Sequence, residues 1–170
     1  MDQSTRKNEL FTTAMTHLMK EKLGISIDLL TEILNADPGD RLALLARGSV
    51  YLKMKQAEEA ISDFSQALRL DPKHPKGYHL RGLAQEIRGD DDAALKDLTK
   101  AIELDPAYGA AYYSRATLLT KMGREDPSAE DMKMVTQLSN ANIESFANEN
   151  NVWRSRQLQV EDALESELHR

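Results

Sequence analysis

Residues 41–72 read RLALLARGSVYLKMKQAEEAISDFSQALRLDP, and residues 75–106 read PKGYHLRGLAQEIRGDDDAALKDLTKAIELDP. Laid on one another at an offset of 34, they match at the positions that carry structure. Leu44 falls on Tyr78, Arg47 on Arg81, Gly48 on Gly82, Ala60 on Ala94, Phe64 on Leu98 and Ala67 on Ala101. Leu70-Asp71-Pro72 falls on Leu104-Asp105-Pro106. A period of this size, with apolar residues at helical spacing and a proline closing each copy, predicts stacked helical hairpins. The unit cannot bury its apolar face alone, so the copies must nest.

The same register extends outward. Upstream, Ala14, Ser26, Leu30 and Ile33 take the places of Gly48, Ala60, Phe64 and Ala67, and Ala36-Asp37-Pro38 closes the copy. Its helices are expected over Thr5 to Lys22 and Ile25 to Ala36, with Gly24 as the left-handed stop between them. Downstream, Tyr112, Arg115 and Ala116 match Tyr78, Arg81 and Gly82, but Pro127, Ser128 and Val135 make the second helix degenerate, and no proline follows Leu138. The expected organisation is a frayed N-terminus (1–6), a degenerate first repeat (7–40), repeats at 41–74 and 75–108, a degenerate fourth repeat (109–142) and a C-terminal segment (143–170).

Small residues recur in pairs twelve apart: Ala14 with Ser26, Gly48 with Ala60, Gly82 with Ala94, Ala116 with Ser128. Glycine inside a helix costs about 1 kcal/mol relative to alanine. Gly48 and Gly82 therefore imply that two helix backbones cross closely there. Arg47, Arg81 and Arg115 also recur, as do Asp63, Asp97 and Asp131, and the expectation is that the arginine stems pack between helices while the guanidinium groups pair with those carboxylates. Asp40 and Asp90 are placed to cap the helices that follow them, and Pro75 suits a first helical turn.

The strings Leu44-Leu45-Ala46-Arg47-Gly48, Tyr78-His79-Leu80-Arg81-Gly82, Ala93 to Leu98 and Ala101 to Pro106 make the chain resemble the tetratricopeptide repeat family. The resemblance implies an all-α, right-handed superhelical solenoid, first helices on the concave face and second helices on the convex one, and a protein-interaction role. On that model the groove is lined by Phe11, Met15, Leu45, Ser49, His79, Leu83, Tyr113, Thr117 and Lys121, with Asn8, Thr12, Met19, Leu42, Leu52, Lys76, Glu86 and Ala110 on the same inward positions. The Lys-Asn clamp with which some family members hold a terminal carboxylate is absent: its positions carry Phe11 and Met15, Leu45 and Ser49, or His79 and Leu83. The expected function is a scaffold or adaptor that holds a partner peptide or helix. The competing readings are a chaperone for a secreted or assembling client and a self-assembling structural repeat.

Residues 141–170 do not repeat. Ile143, Phe146, Trp153, Val160, Leu164 and Leu168 lie on one helical face, predicting an amphipathic helix with a polar middle at Asn148 to Asn151. Phe146, Trp153, Val160 and Leu164 are its interaction residues. Three uses stay open: a cap on the fourth repeat, a coiled coil with a second copy in which Asn150 and Gln157 are polar seam residues, or a segment that binds a partner or folds back into the groove.

Composition sets the outer limits. Apolar residues make up 41% of the 170, enough to build a core. The net charge is −6, with no Lys/Arg stripe, which disfavours nucleic acid as a partner. The lack of cysteine removes disulfides and thiol chemistry and fits a reducing compartment, so the cytoplasm is expected. No signal peptide is visible, and no run of apolar residues is long enough for membrane insertion. His17, His74, His79 and His169 are scattered, the Asp90 to Asp92 run lacks the alternation of a calcium loop, the glycines are isolated, and Ser114 and Ser128 sit in no nucleophile motif. Hence no metal, no cofactor and no enzyme are expected.

Overall fold

The structure, a computed structural model, describes residues 3–142. The Asp-Pro pairs set its rhythm. A residue before proline is driven out of helical geometry, and Asp37, Asp71 and Asp105 have φ of −141°, −140° and −140°. Each aspartate then accepts a hydrogen bond from the backbone N–H two residues on, at Gly39, Lys73 and Ala107, over 3.1, 3.1 and 3.0 Å. These turns end α2 (Leu23–Ala36), α4 (Ala57–Leu70) and α6 (Asp91–Leu104). The first helices of the hairpins are α1 (Gln3–Met19), α3 (Arg41–Lys53), α5 (Pro75–Arg88) and α7 (Gly109–Lys121). Residues 125–142 form α8, so the described residues hold eight helices and no strand.

The turns within the hairpins correct one expectation. Gly24 is not a left-handed stop: it lies inside α2, and the positive φ belongs to Glu21, at 57°. Lys55 at 58°, Gly89 at 88° and Gly123 at 73° occupy the same position at intervals of 34. All four close their helix with the same backbone pair, an N–H at the left-handed residue and another one residue later reaching back into the last turn. For Glu21 and Lys22 the acceptors are Leu18 and His17, at 3.0 and 2.9 Å. Register, rather than the presence of glycine, sets where the first hairpin turns. Residues 3–6, expected to fray, are instead the first turn of α1, and Arg6 pairs with Glu32 on α2 at 2.7 Å.

Capping follows the sequence reading. Asp40 accepts from Ala43 N–H and Asp90 from Ala93 N–H, while Pro75 opens α5 behind His74, whose Nδ1 accepts from Gly77 N–H at 3.0 Å.

The small residues sit at the helix crossings. Ala14, Ser26, Ala60 and Ala94 are 0% exposed and Ala116 is 1% exposed. A Cβ added at Gly48 would lie 2.7 Å from the Phe64 ring, and one at Gly82 would lie 3.1 Å from Leu98 Cγ and 3.3 Å from the Ala94 carbonyl oxygen. Successive hairpins share core as well: Phe64 packs with Ala84 of the next first helix, and Leu98 with Leu118. First helices of neighbouring hairpins touch directly, α3 with α5 and α5 with α7, with no comparable approach between α4 and α6. Helices that crowd on one side and separate on the other bend the stack, and the crowded first helices take the inner, concave side. The fold is an all-α solenoid of helix pairs.

Candidate partner-binding groove

The groove depends on how rigidly the hairpins are held. Arg47, Arg81 and Arg115 each clasp an aspartate sixteen residues on, in the same hairpin. The Nε and Nη2 atoms donate to Asp63, Asp97 and Asp131 over 2.7–2.9 Å. Nη1 reaches back sixteen residues, to Thr31, Ser65 and Thr99 on the preceding hairpin, at 3.0, 3.2 and 3.2 Å. Each guanidinium also lies over a tyrosine ring, Tyr51, Tyr78 or Tyr112, 5.5–5.9 Å from its centroid. The hydrogen bonds to the carboxylates hold all three arginine pKa values above their ordinary level. The arginines are thus structural staples between consecutive repeats and are not offered to an anionic ligand.

The inward positions form four rows by register. Phe11, Leu45, His79 and Tyr113 make one row. Phe11 and Leu45, with Met15, are half-buried and pack on the core formed by α1, α2 and α3. His79 departs from the expected groove role. It is only 8% exposed, and both ring nitrogens are engaged, Nδ1 with Tyr108 Oη and Nε2 with Ser114 Oγ, each at 2.9 Å. Its ring meets Tyr108 edge-on. Burial, with Lys76 nearby, lowers its pKa. His79 therefore joins α5 to α7 and is not a free contact. The signal that could have shown this lies 29 and 35 residues downstream. Tyr113 ends the row at 53% exposure.

In the second row Ser49 donates to the Leu45 carbonyl at 2.7 Å, Leu83 is half-buried, and Thr117 is exposed with its hydroxyl bonded to the Ser114 carbonyl at 2.8 Å. The outermost rows carry the most open apolar surface: Leu42 is 61% exposed, Met19 85% and Ile87 45%. Sequence reasoning missed Ile87, although it shares its register with Met19 and Lys121. Three lysines on or near the groove are engaged: Lys121 with Asp91 at 2.7 Å, Lys53 with Glu21 at 3.2 Å, Lys7 with Asp40 at 2.9 Å. Such exposed pairs add little stability, but they cancel charge locally beside the apolar ridges. Cavities of about 720 Å³ beside Arg81 and Asp97, and about 630 Å³ between α1 and α2, lie away from this face. An extended segment needs a trough instead of a cavity. Phe146, Trp153, Val160 and Leu164 lie outside the described residues. Among the described residues, no group of three or more acidic or histidine side chains could hold a metal ion, and no helix is long and apolar enough to cross a membrane.

Comparison with known proteins agrees with this geometry. Residues 42–74 and 75–108 each match a model of the tetratricopeptide repeat. The chain is 32% identical over 89 residues to Hsc70-interacting protein 1 of Drosophila melanogaster, covering 52% of this chain and 24% of that one. It is 33% identical over 76 residues to the TPR repeat-containing thioredoxin TDX of Arabidopsis thaliana, covering 45% and 20%. It thus spans no more than about a quarter of the curated relatives it matches. Among solved structures, MamA superposes with a TM-score of 0.75 at 20% identity, covering 81% of each chain, a likeness of fold alone. The first TPR of Spaghetti (RPAP3), bound to the HSP90 peptide SRMEEVD, superposes with a TM-score of 0.67 at 25% identity, covering 71% of this chain and 95% of that one.

Proposed function

The chain belongs to the tetratricopeptide repeat family, and from that premise we propose that it is a non-catalytic adaptor whose concave face holds an apolar peptide or helix of a partner protein. The observation that carries this reading is the open apolar surface on the first helices, Met19 at 85%, Leu42 at 61% and Tyr113 at 53% exposure. Water-exposed apolar ridges on a stiff, curved wall suit an amphipathic segment, whose burial there is favourable without distorting the wall. The Spaghetti (RPAP3) structure, with its peptide, supports the mode of binding. The chemistry of the partner differs. Phe11 and Met15, Leu45 and Ser49, or His79 and Leu83 stand where a carboxylate clamp would be, and the groove lysines Lys53 and Lys121 are paired. The segment proposed for this groove is therefore apolar in place of an acidic C-terminal tail. An adaptor without cysteine suits the cytoplasm.

The test is site-specific photo-crosslinking in cells. A photoreactive residue at Leu42 or Tyr113 should capture one defined partner, and Leu42→Glu with Tyr113→Glu should abolish capture without changing the melting temperature. Equal capture from Glu59 or Lys96 on the second helices would overturn the assignment of the concave face.

A further inference from the structure

The centre of the groove has little with which to bond a partner's backbone. In its two inner rows Phe11, Met15, Leu45 and Leu83 are apolar. The polar members spend their groups within the fold: His79 on Tyr108 and Ser114, Ser49 on the Leu45 carbonyl, Thr117 on the Ser114 carbonyl. Tyr113, 53% exposed, keeps the one hydroxyl of these rows that is not bonded to another described residue. The wall's own N–H and C=O groups bond within α1, α3, α5 and α7. An extended apolar segment laid on this surface would strand the backbone groups that face the wall, and a buried group without a partner costs as much as a lost hydrogen bond. A helix brings those bonds with it. Only its side chains need meet the wall, as a ridge of apolar residues three and four apart.

The two ends of the groove beside α5 differ in charge. At the first turn of α5, Lys76 is exposed between Leu42 and Ala110 in its row. Arg41 stands close by and holds the Asp71 carboxylate at 3.5 Å, so two bases face one acid. Their effect reaches the histidines. Burial and then Arg41 and Lys76 lower the pKa of His74, against the opposing pull of Asp71, and burial and then Lys76 lower that of His79. At the far end of α5 the balance reverses. Lys121 bonds Asp91 at 2.7 Å and also feels the charge of Glu86. Arg88 lies between Asp90 at 2.9 Å and Glu58 at 3.6 Å. Each base there faces two acids.

Lys76 and Glu86 are about 15 Å apart along the helix. A helix carries partial positive charge at its N-terminus and partial negative charge at its C-terminus. Such a dipole fits this gradient in one sense only. Resting on the concave-face assignment above, we propose that the occupant is an amphipathic helix of a partner protein, about three turns long, lying antiparallel to α5 with its N-terminus beside Glu86 and its C-terminus beside Lys76.

The test uses the full chain and two synthetic peptides, each of about twelve uncharged residues with leucines at helical spacing on one face and glutamines elsewhere. One is locked as a helix by a hydrocarbon staple on its glutamine face. The other has a proline at its centre, which breaks the helix. Fluorescence anisotropy should show the locked peptide binding about tenfold more tightly or better, because its backbone is already ordered and bonded. Leu42→Glu with Tyr113→Glu should abolish that binding. A spin label at the N-terminus of the locked peptide should broaden amide signals around Glu86 and spare those around Lys76. Exchanging the charges, Lys76→Glu with Glu86→Lys, should leave the melting temperature unchanged and move the broadening to the other end of α5. Equal or tighter binding of the proline peptide overturns the inference, as does failure of both peptides to bind. Broadening that the exchange does not move overturns the polarity. A dimer of the chain that the locked peptide dissociates would make the occupant a second copy and overturn it as well. Capture at Leu42 and Tyr113 in cells is read separately, so the adaptor assignment stands or falls on its own result.

Discussion

Arg81 grips Asp97 with two parallel hydrogen bonds, Nε to Oδ2 at 2.7 Å and Nη2 to Oδ1 at 2.9 Å, while Nη1 reaches Ser65 on the hairpin before. Asp97 is 5% exposed. The pair therefore fixes a hairpin internally and ties it to its neighbour, and its repetition at Arg47 and Arg115 gives the groove a stiff wall.

Lysine cannot reproduce that fork. Arg81→Lys or Arg81→Ala leaves a buried carboxylate without its two donors, and stability should fall by about 2–4 kcal/mol. Replacing both partners, Arg81→Met with Asp97→Leu, should recover most of the loss, because the penalty lies in the stranded charge. Urea unfolding of the three variants checks this. Equal losses in single and double variants would show that the staple stabilises by direct attraction.

The crossing at Gly48 leaves no room for a methyl group. Gly48→Ala gains about 1 kcal/mol of helix propensity, yet it pushes on the fully buried Phe64 ring at 2.7 Å, and overpacking of that kind costs about 1–3 kcal/mol. A net loss of about 1 kcal/mol is expected. At Gly82 the nearby Ala94 carbonyl is backbone and cannot swing away. Gly82→Leu should unfold the third repeat, seen as lost amide-exchange protection across α5 and α6. A melting temperature equal to wild type would sink the packing account.

Lys55 holds φ of 58° where Gly89 and Gly123 do the same task. A left-handed conformation costs an ordinary side chain roughly 1 kcal/mol. Lys55→Gly should therefore stabilise the chain by about 0.5–1 kcal/mol, and Glu21→Gly should behave alike. Calorimetry settles the sign. A loss of stability in both would mean that the side chains, not the backbone, hold these turns.

Ser26 is 0% exposed and its hydroxyl has no hydrogen-bond partner among the described residues, whereas Ser128 at the same register donates to the Ala116 carbonyl at 2.9 Å. The two intermediate copies have alanine there. Ser26→Ala should stabilise by about 1 kcal/mol, and Ser128→Ala should not. A matching response at both sites would show that the hydroxyl at Ser26 is satisfied.

Much of this fold was legible because its rules repeat. Arg47 with Asp63, Gly48 against Phe64 and the Asp-Pro stops are each written several times at one spacing, so one copy explains the next. The misreadings fell where a copy departs from composition while keeping geometry. Glu21 turns a helix without being glycine, and Gly24 is helical despite being one. His79 looked like a groove contact because its burial is decided by Tyr108 and Ser114, on an element that local spacing does not reach. Met19 and Leu42 stay exposed for the opposite reason: their register faces the inner surface, where no helix follows.

The histidines give the fold a defined acid sensitivity. His74 Nδ1 accepts the Gly77 N–H that caps α5, a role open only to the unprotonated ring nitrogen. Burial lowers its pKa, and Arg41 and Lys76 add to this against the opposing pull of Asp71. His79 is lowered by burial and then by Lys76. In the unfolded chain both titrate near pH 6.5. The folded state thus binds fewer protons than the unfolded state below that pH. The stability these groups contribute is complete above about pH 6.5 and drains away as the pH falls through and below it. The melting temperature should therefore drop between about pH 7.5 and 5.5. His74→Asn keeps a capping oxygen, as Asp40 does one repeat earlier, and removes one titrating group. Its melting temperature should vary less over the same range. A variant that loses stability with acid as steeply as wild type would show that the cap does not depend on the neutral ring.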